Sequence, residues 1–396
     1  MSKNVLISGA SIAGPALAYW LGRYGFEPTV VELAPALRGG GQAVDFRGET
    51  HLTVLERMGV LGRLRGIQTG GSPIRFVDAH DRQLLHLPAD FAGGDVEVLR
   101  GDLAQALYEH SLPHTEYLFG DSITSLTETA TGVQVSFRHS APREFDLVIG
   151  ADGLHSNVRR LAFGPEETFV RHLGYYAATW QLPNYLGLGR GSVGYNAPGR
   201  LASVGGDHRD ATKAGAFFVF AAPRLSYDRH DPEQQKASIA QAFAGLGWEV
   251  PRLLDSLRNA PEMYFDSISR ADLDTWSKGR IGLVGDAACG ATIGGMGTGT
   301  GVVAAYVLAG ELALANGDHR TAFTRYENRL RSYALGCQKG GDRTGKFLAP
   351  ATATGLRIRN SLLSRQSLLN WMLKKGQEVS TIALPDYRAE LGQLSR

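Results

Sequence analysis

Gly285-Asp286-Ala287-Ala288-Cys289, followed by Gly294, Gly295, Gly297, Gly299 and Gly301, is the stretch on which the fold turns. It has the form of a buried strand, Ile281 to Val284, ending in a tight turn and a glycine-spaced helix start. The chain opens with a second turn of this kind, Gly9-Ala10-Ser11-Ile12-Ala13-Gly14, nearly three hundred residues earlier. One glycine turn is weak evidence of anything. Two phosphate-sized turns, each between a strand and a helix, point to one dinucleotide gripped from two places.

Around the first turn the pattern is βαβ. Val5-Leu6-Ile7 is a buried strand, Pro15 to Leu21 a helix ending near Gly25, and Pro28-Thr29-Val30-Val31-Glu32 the next strand. A helix N-terminus there offers unpaired N–H groups and a positive dipole end to a pyrophosphate. Glu32 falls about 20 residues beyond the turn, where a carboxylate can accept from a ribose hydroxyl. Ser11 takes the place of the second glycine of GxGxxG, which narrows the room for the pyrophosphate without closing it. The alternative for the turn alone is helix–strand packing with no ligand.

The rest of the composition bounds the answer. The 396 residues suffice for one large α/β unit or two domains, and 43% hydrophobic with 20% charged residues is ordinary for a globular enzyme. A net charge of +2, from 41 basic and 39 acidic residues, gives no field that would draw nucleic acid. Two cysteines, Cys289 and Cys337, make neither a disulfide framework nor a metal-type spacing, so a reducing, cytoplasmic compartment is expected. No signal pattern precedes Val5, and the runs of apolar residues are too short to predict a membrane span. No Ser-His-Asp or metal constellation is present.

Three further segments resemble one family, the class A flavoprotein monooxygenases that include aromatic hydroxylases. Asp146-Leu147-Val148-Ile149-Gly150-Ala151-Asp152-Gly153-Leu154-His155-Ser156-Asn157-Val158-Arg159 resembles its DG motif. Arg100, in Val98-Leu99-Arg100-Gly101-Asp102-Leu103, resembles the arginine placed beside the flavin. Gly279 to Ala288 resembles its GD motif. Together they span most of residues 1–330. Gly40 to Gly48, Pro183 to Leu188 and Tyr306 to Leu312 look most like tetracycline-inactivating members.

The resemblance implies FAD as cofactor and NAD(P)H as a transient reductant, since no second GxGxxG appears. It implies cofactor contacts from Gly9, Ser11, Ile12, Ala13, Gly14, Glu32, Leu33, Arg47, Arg100, Asp152, Gly285, Asp286, Gly295, Met296 and Gly297. No catalytic side chain is implied, because the flavin C4a carries the chemistry. Asp152 and Arg159 are expected to hold the protein together around the cofactor, and Cys289 to be a small packing residue.

The expected fold is α/β: a Rossmann-like FAD-binding domain (1–168 and 271–340), an inserted β-sheet substrate domain (169–270) and a C-terminal helical segment (341–396). Tyr175 to Gln181, Ala216 to Phe220 and Met263 to Ile268 read as aromatic-rich strands roofing the flavin. Tyr176, Trp180, Phe218, Phe220 and Tyr264 are the candidate pocket for a flat or polycyclic apolar molecule. Asp228 to Gln235 opens an amphipathic helix through Phe243, with His230 in its solvated start. Helices are expected over His319 to Leu335 and Leu356 to Val379, broken between Lys346 and Thr354. The last is basic, through Arg357, Arg359, Arg365, Lys374 and Lys375.

One departure stands out. The family's GD turn carries a proline about seven residues after the aspartate, and position 293 here is Ile. Gly295 and Gly297 take the Gly-x-Gly places. Without proline to fix φ, Thr292-Ile293-Gly294-Gly295 is expected to be looser near the flavin. Two functions follow: a monooxygenase acting on a polycyclic or polyketide-like molecule in secondary metabolism or antibiotic modification, or a non-redox cyclase or isomerase keeping FAD as a structural cofactor.

Overall fold

Val5, Leu6 and Ile7 have no solvent exposure because their strand, Asn4–Ser8, lies inside a six-stranded sheet. The computed structural model describes residues 3–37, 39, 41–229, 231–293, 296–370 and 381–394. Across the sheet the order is Ser277–Lys278, Ile281–Leu283, Leu147–Gly150, Asn4–Ser8, Glu27–Glu32 and Glu116–Phe119. All neighbours run parallel except the Ser277–Lys278 edge. Parallel strands are covered on both faces, which is why Leu147, Val148 and Ile149 are an unbroken apolar run. Both glycine turns therefore leave the same end of one sheet, from strands separated only by Leu147–Gly150.

The helix behind the second turn, Gly297–Leu314, packs against the helices Ala13–Arg23, Gly48–Met58 and His319–Leu348. Among the described residues it alone has the length and apolarity to cross a membrane, and 78% of it is buried inside the protein. Its apolar surface is thus spent on the core. Gly285 adopts φ +63, and a Cβ there would sit 3.1 Å from the Cβ of Ala13. Glycine at this point lets the two turns touch.

A second sheet has seven strands, in the order Met263–Ala271, Val170–Pro183, Lys213–Ala221, Arg200–Gly206, Ser192–Ala197, Ile74–Val77 and Gln83–Leu87. The expected confinement of this sheet to 169–270 does not hold. Two of its strands come from residues 74–87, because Ile74–Val77 pairs in parallel with Ser192–Ala197. One face carries the amphipathic helices Pro232–Phe243 and Val250–Arg258, whose Ile239, Phe243, Leu253 and Leu257 are buried on it. Asp231 caps the first of these, accepting from the N–H groups of Glu233 and Gln234. His230 lies outside the described residues.

The C-terminal part breaks within the expected Lys346 to Thr354 stretch, but the segment boundary expected at 341 falls inside a helix. Helix His319–Leu348 runs 30 residues straight through position 341, and Ala353–Leu363 follows a short turn. Arg359 is not part of a basic solvent face. It is buried, stacks 4.8 Å over Phe76, and donates to the carbonyls of Phe347 and Leu348 and to Asn196 Oδ1. It thereby closes the end of the long helix against the sheet. Lys374, Lys375 and the rest of the expected helix to Val379 lie outside the described residues. Beyond them, Tyr387 of helix Tyr387–Leu394 inserts where Gly310 lacks a side chain; a Cβ there would be 2.2 Å from the ring. The Tyr387 hydroxyl donates to Glu311 Oε1 at 2.7 Å.

Candidate functional site

Gly9 makes its turn at φ +107, and its N–H donates to Val31 O at 2.8 Å. The following helix has no side-chain cap, so its first N–H groups face the cleft with no side-chain acceptor. Gly14 is required by the chain itself: a Cβ there would lie 1.9 Å from the Gly9 carbonyl oxygen. Any larger residue would force helix and turn apart before it met a ligand. Ile12 is buried beside Ala10, and Ala13 packs toward Gly285 and Gly301. Glu32 accepts from Ala10 N–H at 2.8 Å and Ala34 N–H at 2.9 Å, which fixes its carboxylate at the strand end. Leu33 next to it is 59% exposed, a large apolar side chain open to a ligand.

Arg100 begins the helix Arg100–Ser111 and donates to Ser11 Oγ at 3.1 Å. This joins the first glycine turn to the arginine found ninety residues later. Arg47 pairs with Asp45 and also donates to Phe91 O, so its guanidinium is held at the cleft wall. The neighbouring hairpin between Arg200–Gly206 and Lys213–Ala221 reaches the same helix start, where Arg209 pairs with Asp102.

Asp152 is occupied by its own chain. It accepts from Ser156 Oγ, from Val158 N–H at 3.0 Å and from Ser8 Oγ at 3.2 Å. Arg159, fully buried, donates to Ala287 O at 2.9 Å and so ties the DG segment to the GD turn. His155 is clamped between Glu166 (Nδ1, 2.9 Å) and Asp266 (Nε2, 2.9 Å). Burial disfavours its charge, but the hydrogen bonds from the imidazolium to Asp266 and Glu166 outweigh that and carry its pKa up to about 9. It is a cation at neutral pH.

Asp286 differs from Asp152. Among the described residues no donor bonds its carboxylate, whose Oδ1 faces Gly297, 2.7 Å from where a Cβ would be. Burial raises its pKa and the nearby Arg100 opposes that. A half-buried carboxylate with no donor among the described residues, beside an uncapped helix start, suits a polyhydroxylated, phosphate-bearing cofactor. FAD fits these residues. Cys289 is buried with its thiol toward Gly285 O, and burial pushes its pKa up, so it stays a neutral packing residue. Met296 holds a left-handed φ of +52 at the helix start; Gly294 and Gly295 lie outside the described residues.

The expected looseness of the turn is not what Ala291 and Thr292 show. Ala291 bridges Arg270 in antiparallel fashion, and Thr292 bonds the Met263–Ala271 strand with both backbone and side chain. Ile293 is half-buried and packs against the same apolar cluster as Phe217 and Phe347.

The aromatic pocket needs correction. Tyr176, Trp180, Phe218 and Phe220 do not face the cofactor side. They lie on the opposite face, packed with Ile239, Phe243 and Leu253 under the two amphipathic helices. The Trp180 ring meets Phe218 at 4.8 Å, and Phe218 meets Phe243 at 4.3 Å. Successive side chains alternate across a sheet, so the intervening residues look inward. Sheet register aligns Tyr264, Thr179, Phe217, Ser203 and Gly194 in one row, with Gln181, Gly215, Gly205 and Ser192 in the next. Gly215 has nothing within 4 Å of where a side chain would start. Tyr264 is 42% exposed, yet burial raises the pKa of its hydroxyl and both Arg100 and Asp286 act on its charge. Accessible but deeply placed is the signature of a cleft wall.

Sequence reasoning missed Thr179, Gln181, Ser203, Gly215 and Phe217. The signal was the amphipathic helix from Pro232 to Phe243, whose apolar face needed the other half of each strand. It also missed His51, which packs on Gly299. Its Nδ1 accepts from Arg47 N–H, so Nε2 carries the proton to the Tyr333 hydroxyl at 2.8 Å; burial lowers its pKa to about 4. No sequence pattern marks that histidine.

Fold and cleft together define a FAD-dependent oxidoreductase. Residues 2–186 match the family described as FAD binding domain. A flavin-dependent monooxygenase of Legionella longbeachae is 39% identical over 350 residues, covering 86% of this chain and 89% of the relative. Among solved structures, tetracycline destructase Tet(51) matches with TM-score 0.86 and 32% identity, over 98% of this chain and 100% of its own. Tetracycline destructase Tet(55) matches with TM-score 0.84 and 35% identity, over 97% and 99%. The chain belongs to the flavin-dependent monooxygenase family; it is a class A enzyme using FAD.

Proposed function

We propose that this enzyme hydroxylates a flat, polycyclic or polyketide-like small molecule lying along the inner face of the seven-stranded sheet, with NAD(P)H as its electron source, in the cytoplasm. The observation that carries this reading is the inner row itself. Tyr264, Thr179, Ser203 and Gln181 offer polar contacts, while Gly215, with nothing within 4 Å of where a side chain would start, leaves open space among them. A planar, oxygenated molecule suits such a wall better than a compact aliphatic one. The similarity to tetracycline destructases supports antibiotic modification as the setting.

Bound FAD supplies the redox chemistry between nicotinamide and O₂. Arg100, Asp286 and the uncapped helix starts hold it. Tyr264, kept protonated by burial, donates a hydrogen bond toward the substrate. Phe217, Ile293 and Phe347, partly buried against the apolar cluster of this face, add apolar surface to it. The non-redox alternative drew its support from the missing proline, and the anchorage of Ala291 and Thr292 weakens that motive.

The test is product mass spectrometry after turnover of tetracycline-like and anthraquinone-like molecules with NAD(P)H under isotopically heavy O₂. One heavy oxygen per product is expected. Turnover of the same molecule under strict anaerobiosis without reductant would sink the proposal.

A further inference from the structure

We infer that Thr292 is the positioning residue of the cofactor turn: it locks the turn to the edge of the substrate sheet, so that the turn follows the strand carrying Tyr264. This rests on the flavin-oxygenase reading for its functional arm, and on geometry alone for its structural arm.

The Met263–Ala271 strand ends the seven-stranded sheet, and a sheet edge presents unpaired N–H and C=O groups. The turn after Cys289 uses them. Ala271 N–H donates to Gly290 O at 2.9 Å, and Thr292 N–H donates to Ser269 O at 3.0 Å. Thr292 Oγ1 accepts from Ser269 N–H at 2.9 Å, and its single proton is shared between Ser267 O at 3.0 Å and Ser269 O at 3.1 Å. Ser269 is 1% exposed, so its N–H has no water to replace the threonine.

A proline fixes its own φ but donates no hydrogen bond. Threonine here does the converse: the loop is held from outside, by a strand belonging to the substrate sheet. The same strand is held from the other motif as well, since Asp266 binds His155 of the DG segment at 2.9 Å. The inner side chains Tyr264 and Asp266 stand on this strand just before the residues that Thr292 grips. A substrate pressing on Tyr264 therefore acts on a strand whose hydrogen bonds define the turn beside the flavin.

The variants are Thr292→Val, which keeps the shape and removes the hydroxyl, and Thr292→Ser, which keeps the hydroxyl. Both are compared with the wild type as FAD-loaded enzyme. Deuterium exchange is measured over residues 286–293 and 263–271, with peroxide released per NAD(P)H oxidised in the presence of substrate. For Thr292→Val, exchange over both segments is expected to rise about fivefold or more, as loss of one net hydrogen bond implies. Peroxide yield should rise several-fold, with the FAD-to-protein ratio near wild type and both defects reversed in Thr292→Ser. Should the valine variant not fold, Thr292→Ala, which leaves room for a water, is read in the same way. Unchanged exchange in the valine or alanine variant overturns the inference, and so does a serine variant as defective as valine. If the wild type oxidises no NAD(P)H with any candidate, the functional proposal fails, while the exchange data still decide the role of Thr292.

Discussion

The two faces of the seven-stranded sheet are built from the same strands and do opposite things. The outer face is crowded: Tyr176 stacks on Phe220 and Trp180 meets Phe218 edge-on, and both phenylalanines in turn pack on Phe243. The inner face carries rings too, Phe217 and Tyr264 among them, but between them stand the smaller Thr179, Ser203, Gly205 and Gly215. Aromatic richness in these strands therefore marks packing. The face proposed to receive the substrate is the one where Gly215 is open and Tyr264 stays exposed.

Substitutions on the two faces can break this contrast. Phe218 has no exposure, and Phe218→Ala is expected to cost about 3–5 kcal/mol of stability, read as a lower melting midpoint, with KM little changed in the folded fraction. Gly215→Val should do the reverse. Nothing stands within 4 Å of the new Cβ, so stability stays within about 1 kcal/mol. The filled trough then raises KM for a flat substrate about tenfold or more. Outcomes exchanged between these two variants would mean the faces have been assigned backwards.

A smaller effect comes from the pin between the faces and the cofactor motifs. His155 has its pKa raised from 6.5 to about 9, so its contribution is complete below pH 6.5 and is lost as pH rises through 9. Thermal melts should lose on the order of 1–2 kcal/mol over that window, and His155→Gln should flatten the loss. A wild-type profile already flat between pH 6.5 and 9 would contradict this. The smallest change is expected from Tyr264→Phe. Stability should hold within about 0.5 kcal/mol, because the ring is half open, and KM should rise a few-fold. An unchanged KM would remove the Tyr264 hydroxyl from the substrate contacts.

The α/β class, the FAD cofactor and the monooxygenase family were legible from four ordered motifs, because each needs a particular residue type at a turn. Gly9, Gly14 and Gly285 are dictated by close approach, and such constraints show in one sequence. The substrate wall was less legible. Strand alternation separates two faces but does not say which one meets the cofactor; that depends on where Ile239 and Phe243 dock. Strands 74–77 and 83–87 joined the sheet by a long-range parallel pairing that no local pattern announces. Thr292 illustrates the same limit: a missing proline is visible, whereas the strand that replaces its stiffness lies twenty residues back in sequence.

The seat of Tyr387 in the notch at Gly310 has a practical side. Glu311 is 1% exposed, with Tyr387 and Arg329 as its partners, and its helix begins at the cofactor turn. Clipping the chain ahead of residue 381 would uncork that notch, flood a buried carboxylate and slacken the far end of the helix whose near end begins at the proposed cofactor turn. Flavin colour on a purification column would thus report whether the tail of the protein has survived proteolysis, some eighty residues from the glycines it helps to hold.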